Sequence, residues 1–363
     1  MQIYKKYLKF LLNLLFTELS KNLSKSIPEA KFNNIMISLL KPLGIGDIIM
    51  LLPYISALPK RFPEAKIYII SDHQQIAEVD NIKWLSLSES RSIPRNQSLL
   101  ISPDMSFQVL KFFFTAKFKL GYFGSTQPYS NFLGALPKAN IIDHHYSQRV
   151  VNLLKPLGVT EDMFGYENFK ISSERLPSIN FDKEYVVIAP ISNWNSRQYP
   201  LKNFIKIVKA VSLEIQVVLV GTPQEARLWN SSWEMQRREG LEAKNIINLM
   251  GKTSFQEMAN IFKNAKLCIA NDSGPAHLGG ILSSNTIVIY GCCSPEIRKP
   301  LLFPIADKIS SFSNGMACQH FPCYDGLSEP KCINTKKYSC LNIDPDSISN
   351  KALKLCKLSP TTQ

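Results

Sequence analysis

The stretch Leu267-Cys268-Ile269-Ala270-Asn271-Asp272-Ser273-Gly274-Pro275-Ala276-His277 decides how this chain folds. Leu267 to Ala270 is an apolar run of buried-strand length, and Leu278 to Leu282 reads as the first turns of a helix. A strand ending in Asn-Asp-Ser-Gly-Pro belongs in an open α/β sheet, where ligands collect at the carboxyl ends of the strands. Asp272 or Ser273 can cap the helix, and Gly274 lets a ligand come close to the backbone. Unsatisfied N–H groups at a helix start favour an anion such as a pyrophosphate. Taken alone, the turn reads equally well as a capped helix with no ligand.

Working outward, the same alternation recurs twice. In the first half, Ile35 to Leu40 is a strand and Lys41-Pro42-Leu43-Gly44-Ile45-Gly46-Asp47 a loop. A helix is expected from about Ile48 to Arg61, and Lys66 to Ile70 closes a βαβ unit. Apolar runs at Trp84 to Leu87 and Leu99 to Ser102 continue the series, and Val150 to Leu157 reads as a helix stopped by Gly158. After Pro177 the pattern restarts. Tyr185 to Ala189, Val217 to Val220, Ile246 to Leu249, Leu267 to Ala270 and Thr286 to Tyr290 are strands, with helices opening near Pro200 and Phe255. The expected architecture is two Rossmann-like, doubly wound α/β domains facing each other across a cleft. They span 31–177 and 178–345, between a basic helix over 1–30 and a C-terminal helix and tail over 346–363.

Length agrees, since 363 residues exceed one ordinary core. An apolar fraction of 45% with 20% charged residues describes a globular chain. Lys and Arg outnumber Asp and Glu by 42 to 29, a net charge of +13 that attracts phosphate-rich partners. No zinc finger or RNA-recognition signature accompanies the charge, so nucleic acid is the weaker partner and an anionic membrane surface the better one. The N-terminus points the same way. Lys5, Lys6, Lys9 and Asn13 fall on one side of a helix, with Tyr7, Leu8, Leu11, Leu12, Leu15 and Leu19 on the other. Such a helix lies in a membrane interface or packs on the protein's own surface, and it is too short and charged to span a bilayer. Cys268, Cys292 and Cys293 sit with predicted core strands. Cys318, Cys323, Cys332 and Cys340 lack the closely spaced pair usual in zinc sites, so no metal is assigned and redox pairing stays open.

Several residues are candidates for chemistry. Gly44-Ile45-Gly46-Asp47 lies between strand and helix but has Ile49 where a dinucleotide fingerprint has its third Gly, which disfavours a nicotinamide dehydrogenase. Asp47 is either that helix's N-cap or a general base. Arg197, with Lys202 close behind, ends the loop after the first strand of the second half and can face a pyrophosphate held at Asp272-Ser273-Gly274. Glu225 either accepts hydrogen bonds from a ribose or occupies a helix's first turn. There is no G-x-S-x-G elbow to make Ser273 and His277 a hydrolase pair, and no Walker motif. The one Asp-x-Asp, Asp344-Pro345-Asp346, reads as the start of the last helix, and His144-His145 as a surface pair.

Together these motifs resemble glycosyltransferase family 9, the ADP-heptose:lipopolysaccharide heptosyltransferase family. Leu43-Gly44-Ile45-Gly46-Asp47 with Pro53 is similar to the family's N-terminal signature, and Asn271 to Leu278 to its more specific C-terminal one. Leu249 to Ser254, Tyr290-Gly291 with Pro295, Cys318, Phe321-Pro322-Cys323 and Cys340-Leu341 fall in matching places, so the resemblance runs from about 33 to 355. It implies a GT-B fold and inverting, metal-independent transfer of heptose from ADP-heptose to a lipopolysaccharide core acceptor. The setting implied is the inner face of the bacterial cytoplasmic membrane, with no cofactor. By the same resemblance Asp47 is the base, with Gly44 and Gly46 in the acceptor-side loop. Arg197, Lys202, Glu225, Asp272, Ser273, Gly274 and His277 hold the donor. Asp272, a carboxylate beside phosphate, is expected to bond sugar hydroxyls or backbone N–H groups. The chain departs from the family at Gln198-Tyr199, where Trp is usual, and at Gly279-Gly280, which replace small Ala residues and loosen the helix. Two alternatives are the same fold with another nucleotide sugar or glycan acceptor, and a non-catalytic nucleotide-sugar-binding membrane protein.

Overall fold

The computed structural model describes residues 32–40, 43–94, 98–103, 116–123, 127–130, 145–173, 183–238, 245–283, 285–300, 308–324 and 329–358. The expected helix over 1–30, Lys41-Pro42 and His144 lie outside these residues. The chain divides into two compact units, Met1–Lys170 and Ile171–Gln363.

In the first unit β1 (Asn34–Leu39) is buried along its whole length, as suits a strand covered on both faces. The strands β2 (Lys66–Ser71), β3 (Ala77–Val79), β4 (Ile82–Leu85), β5 (Ser98–Ser102), β6 (Phe118–Phe123), β7 (Gln127–Ser130) and β8 (Phe169–Ile171) follow in the chain. Six of them form one sheet in the order β4-β2-β1-β5-β6-β7. It is parallel except where β7 runs antiparallel to β6, and β3 pairs with β8 separately. The helix expected over 48–61 is two helices, α1 (Ile45–Ile55) and α2 (Leu58–Arg61). Pro59 explains the interruption, because its ring clashes with the carbonyl four residues back in a continuous helix. The unit's remaining described helix, α3 (Gln148–Leu154), continues as a 3-10 turn over Lys155–Leu157 and stops at Gly158, which is left-handed.

The second unit alternates strictly through β9 (Tyr185–Ala189), α4 (Leu201–Ser212), β10 (Gln216–Leu219), α5 (Pro223–Arg238), β11 (Ile246–Asn248) and α6 (Phe255–Asn264). It continues with β12 (Leu267–Asn271), α7 (Gly274–Leu282), β13 (Thr286–Tyr290), α8 (Pro295–Arg298), β14 (Ile309–Ser313) and α9 (Pro345–Leu358). The sheet is parallel throughout, in the order β11-β10-β9-β12-β13-β14. Its order reverses between β9 and β12, so the topological switch point falls where those two strands end. Helix α4 buries Phe204, Ile207, Val208 and Val211, one face at helical spacing, against the sheet. Ile348, Ala352 and Cys356 of α9 close the same core. Each such aliphatic or aromatic side chain contributes about 1.5–3 kcal/mol on full burial.

Gly279 does not merely loosen α7. A Cβ there would lie 2.6 Å from Cys268 Sγ, so the glycine is what lets α7 settle against β12. Among the described residues no helix is long and apolar enough to cross a membrane.

Candidate functional site

At the switch point Asn271 ends β12 and ties two loops together. Its Oδ1 accepts the Tyr199 N–H at 3.0 Å, and its Nδ2 donates to the Pro190 carbonyl at 3.0 Å. Gln198 staples the loop after β9 from within, accepting the Ser192 N–H at 2.6 Å and donating to Pro190 O at 2.9 Å. Tyr199 beside it is buried in the core, and its hydroxyl donates to the Ile343 carbonyl at 2.6 Å. The departure from the family's usual Trp is thereby accommodated.

Ser273 stands at the N-cap of α7 with extended angles, yet its hydroxyl donates to Asn271 O at 3.2 Å and makes no capping bond. The expected side-chain cap is absent for a reason visible one residue earlier. The Asp272 carboxylate is fully buried and turned toward cations. Arg197 Nε lies 3.5 Å from Oδ2, Arg298 Nε 3.7 Å from Oδ1, and His277 Nε2 3.9 Å from Oδ1. These separations are those of ion pairs rather than hydrogen bonds. Burial pushes the Asp272 carboxyl up, but Arg197, then Arg298 and His277, outweigh it and hold the group below the usual carboxylate value. For Arg197 burial works against the charge, and Asp272 overcomes it and raises the guanidinium's pKa. The Arg197 guanidinium also stacks 3.9 Å from the Trp194 ring centroid and 5.0 Å from that of Tyr324.

Two guanidinium groups thus share one carboxylate, next to the start of α7, whose Ser273, Gly274 and Pro275 are only half-buried. Such a place favours an anion on two counts, the helix terminus and the surplus of fixed cations. Gly291, just past β13, holds this arrangement close. A Cβ there would collide with the Ser196 carbonyl, which instead accepts the Cys292 N–H at 3.0 Å.

Of the residues singled out from sequence, the structure brings Arg197, Asp272 and His277 into contact, with Ser273 and Gly274 alongside. Lys202 is exposed in the first turn of α4 and makes no ion pair with the described residues. Glu225 takes the helical option, its Oε2 accepting the Thr222 N–H at 2.6 Å at the start of α5. Asp47 is not the N-cap of α1. Gly44 holds that place, and Asp47, three residues into the helix, reaches back so that Oδ2 accepts the Gly44 N–H at 3.0 Å. Gly46 is buried in the first turn of the same helix. His145 turns locally, its Nδ1 within 2.9 Å of Ser147 Oγ. Arg298 is the residue sequence reading missed. The available signal was its position eight residues past β13, the strand beside β12, but it ends a four-residue helix that periodicity does not mark. Among the described residues no group of three or more His, Cys, Asp or Glu side chains is gathered to ligate one ion.

Two doubly wound α/β units, the second with a cationic site at the end of a central strand, are the architecture of the GT-B class. The model of Glycosyltransferase family 9 (heptosyltransferase) matches residues 108–331, and the chain belongs to that family. It is similar to lipopolysaccharide heptosyltransferase 3 of Escherichia coli (strain K12), 25% identical over 286 residues, covering 70% of this chain and 82% of the relative. It is also similar to lipooligosaccharide heptosyltransferase 2 of Campylobacter jejuni, 22% identical over 193 residues, 53% of this chain and 57% of that one. Among solved structures, a family 9 glycosyl transferase from Veillonella parvula superposes with a TM-score of 0.65 at 17% identity, over 92% of this chain and all of the other. The Escherichia coli ADP-heptose LPS heptosyltransferase II does so with a TM-score of 0.64 at 16% identity, over 89% and 98%. The protein is a glycosyltransferase of the heptosyltransferase family with the GT-B fold of two Rossmann-like units.

Proposed function

We propose that the protein transfers heptose from ADP-heptose to a lipopolysaccharide core acceptor with inversion at the anomeric carbon. The observation that carries this reading is the buried Arg197–Asp272–Arg298 arrangement beside the start of α7. A diphosphate leaving group gathers negative charge as the sugar–oxygen bond breaks, and fixed guanidinium groups aimed at that charge lower the barrier. The helix start adds about 0.3–1 kcal/mol. Asp272 acts in this reading through the cations it orients, while Ser273, Gly274 and His277 line the donor. Lys202 and Glu225, in the first turns of α4 and α5, supply its outer contacts, Glu225 reaching the ribose with the carboxylate oxygen that does not hold the Thr222 N–H.

On the first unit, Asp47 takes the proton of the acceptor hydroxyl as its oxygen attacks the anomeric carbon, with Gly44 and Gly46 giving the acceptor access to the α1 loop. The C–O bond to the diphosphate breaks on the opposite face of the sugar, and no metal is required in the scheme. The acceptor is lipid-linked, and the surplus of 42 basic over 29 acidic residues supports work at an anionic membrane surface on the cytoplasmic side. The relatives named for lipopolysaccharide and lipooligosaccharide heptosyl transfer support the donor and acceptor classes. A donor screen read by mass spectrometry of purified core glycolipid tests the reading. A mass increase of one heptose from ADP-heptose is expected, and faster transfer from another nucleotide sugar overturns it.

A further inference from the structure

The cysteines found no place in the function above, yet they are not scattered. Cys292, Cys318, Cys323, Cys332 and Cys340 line one cavity of about 210 Å³ in the second unit. All eight cysteines are free thiols in this structure. Within the cavity, Cys292 and Cys323 are joined backbone to backbone. The Cys323 N–H donates to the Cys292 carbonyl at 3.2 Å, and the Cys323 side chain packs on the cluster of Cys292, Cys293 and Tyr324. A direct backbone hydrogen bond between the two residues is the kind of close approach that a disulfide, with its Cα separation of about 4.4–6.8 Å, requires.

Both partners also support Arg197. The Cys292 N–H donates to the carbonyl of Ser196, the residue before Arg197, at 3.0 Å. Tyr324, the residue after Cys323, is one of the two rings against the Arg197 guanidinium. We propose that Cys292 and Cys323 form a reversible disulfide that alters how the Ser196–Arg197 loop holds the donor, making this cavity a redox-responsive site. Its effect on donor binding rests on the function proposed above, whereas the disulfide itself does not.

The roles within the pair differ. A hydrogen bond from the Cys293 thiol, whose sulfur is 3.7 Å away, together with Ser196 and Arg197 brings the Cys292 thiol below its ordinary value against the opposing effect of burial. Burial keeps Cys323 protonated above its ordinary value. Cys292 is buried and Cys323 only half-buried, so Cys323 meets the oxidant and Cys292 is the resolving thiolate. Cys323, on losing its proton, displaces one thiolate from a small disulfide such as oxidised glutathione, giving a mixed disulfide. The Cys292 thiolate then attacks the Cys323 sulfur, releasing the second thiol. Two protein thiols are oxidised by two electrons, and one disulfide is reduced to two thiols.

The full chain, reduced and then equilibrated in glutathione buffers of graded oxidised fraction, is alkylated, digested without reductant and mapped by mass spectrometry. The expected result is a Cys292–Cys323 crosslink that forms with oxidation and reverses with dithiol. It is accompanied by a several-fold rise in donor KM in the wild type but not in Cys323→Ser or Cys323→Ala. Crosslinking of Cys292 to Cys293, or only among Cys318, Cys332 and Cys340, overturns the pairing. Purified protein whose cavity thiols are protected by a stoichiometric metal ion overturns it as well. A crosslink with unchanged KM overturns the coupling to the donor. Absence of heptose transfer in the fully reduced wild type instead counts against the proposed function, which keeps the two failures distinct.

Discussion

Asp272 is shared by Arg197, Arg298 and His277, so neutralising it leaves buried cations without their counter-charge. Asp272→Asn is expected to cost about 3–5 kcal/mol in urea unfolding, the usual penalty for breaking one side of a buried pair. Its pH signature follows from the lowered folded pKa. The carboxylate's contribution is present above the unfolded value of about 3.9 and is lost as pH falls through the lower folded value. The wild type should therefore lose more stability on acidification below about pH 4 than Asp272→Asn, checked by denaturation across that range. At Asp47 a different substitution separates two jobs. Asp47→Asn keeps an oxygen to accept the Gly44 N–H but cannot take a proton. Transfer should fall about 10²–10⁴-fold while the thermal midpoint stays near wild type. Arg197 and Asp272 were legible as a pair in the sequence because each lies beyond a strand of an obvious βαβ unit. Which option Glu225 takes was not, since a carboxylate in a helix's first turn suits both a capping box and a ribose. Arg298 was one basic residue among 42 Lys and Arg until the fold set it beside Asp272.

At the scale of elements, glycine placement decides how closely helices and loops meet the sheet. By propensity alone Gly279→Ala would stabilise α7 by about 0.8–1.0 kcal/mol. The added carbon would meet Cys268 at 2.6 Å, on a strand and not at the end of a flexible chain. Net destabilisation of about 1–3 kcal/mol is therefore expected, measured by chemical unfolding. Gly291→Ala should push the end of β13 away from Ser196 and raise donor KM more than it lowers kcat. The fully buried, mainly apolar strands β1, β9, β12 and β13 were readable from composition because central parallel strands bury both faces. The three-residue strands β3 and β8 were not, since so short a run carries no period. Sheet-edge β14 was missed for a related reason. Its Ile-Ser-Ser-Phe-Ser pattern alternates burial and looks like a polar loop.

For the whole molecule, charge and the N-terminal segment make one prediction together. Removal of residues 1–30 should weaken sedimentation with anionic vesicles at low salt. In the intact chain that association should fade as salt rises, because charges are screened beyond about 10 Å at 0.1 M. Unchanged sedimentation after deletion would dismiss the segment's role. The doubling of one fold was plain from the restart of the strand–helix alternation after Pro177. The sheet orders show how far it goes, with β1 and β9 each central and the chain winding outward on both sides.

The core of the second unit is closed by α9, which supplies Ile348, Ala352 and Cys356 and follows every described strand in the chain. During synthesis the first sheet, drawn wholly from residues 34–130, is already complete when these arrive. The second sheet and α4 meanwhile wait with an apolar face uncovered until α9 emerges. A stop codon placed just before Pro345 would thus leave a protein with the described strands in place and an open seam, marked for aggregation or degradation rather than for partial activity.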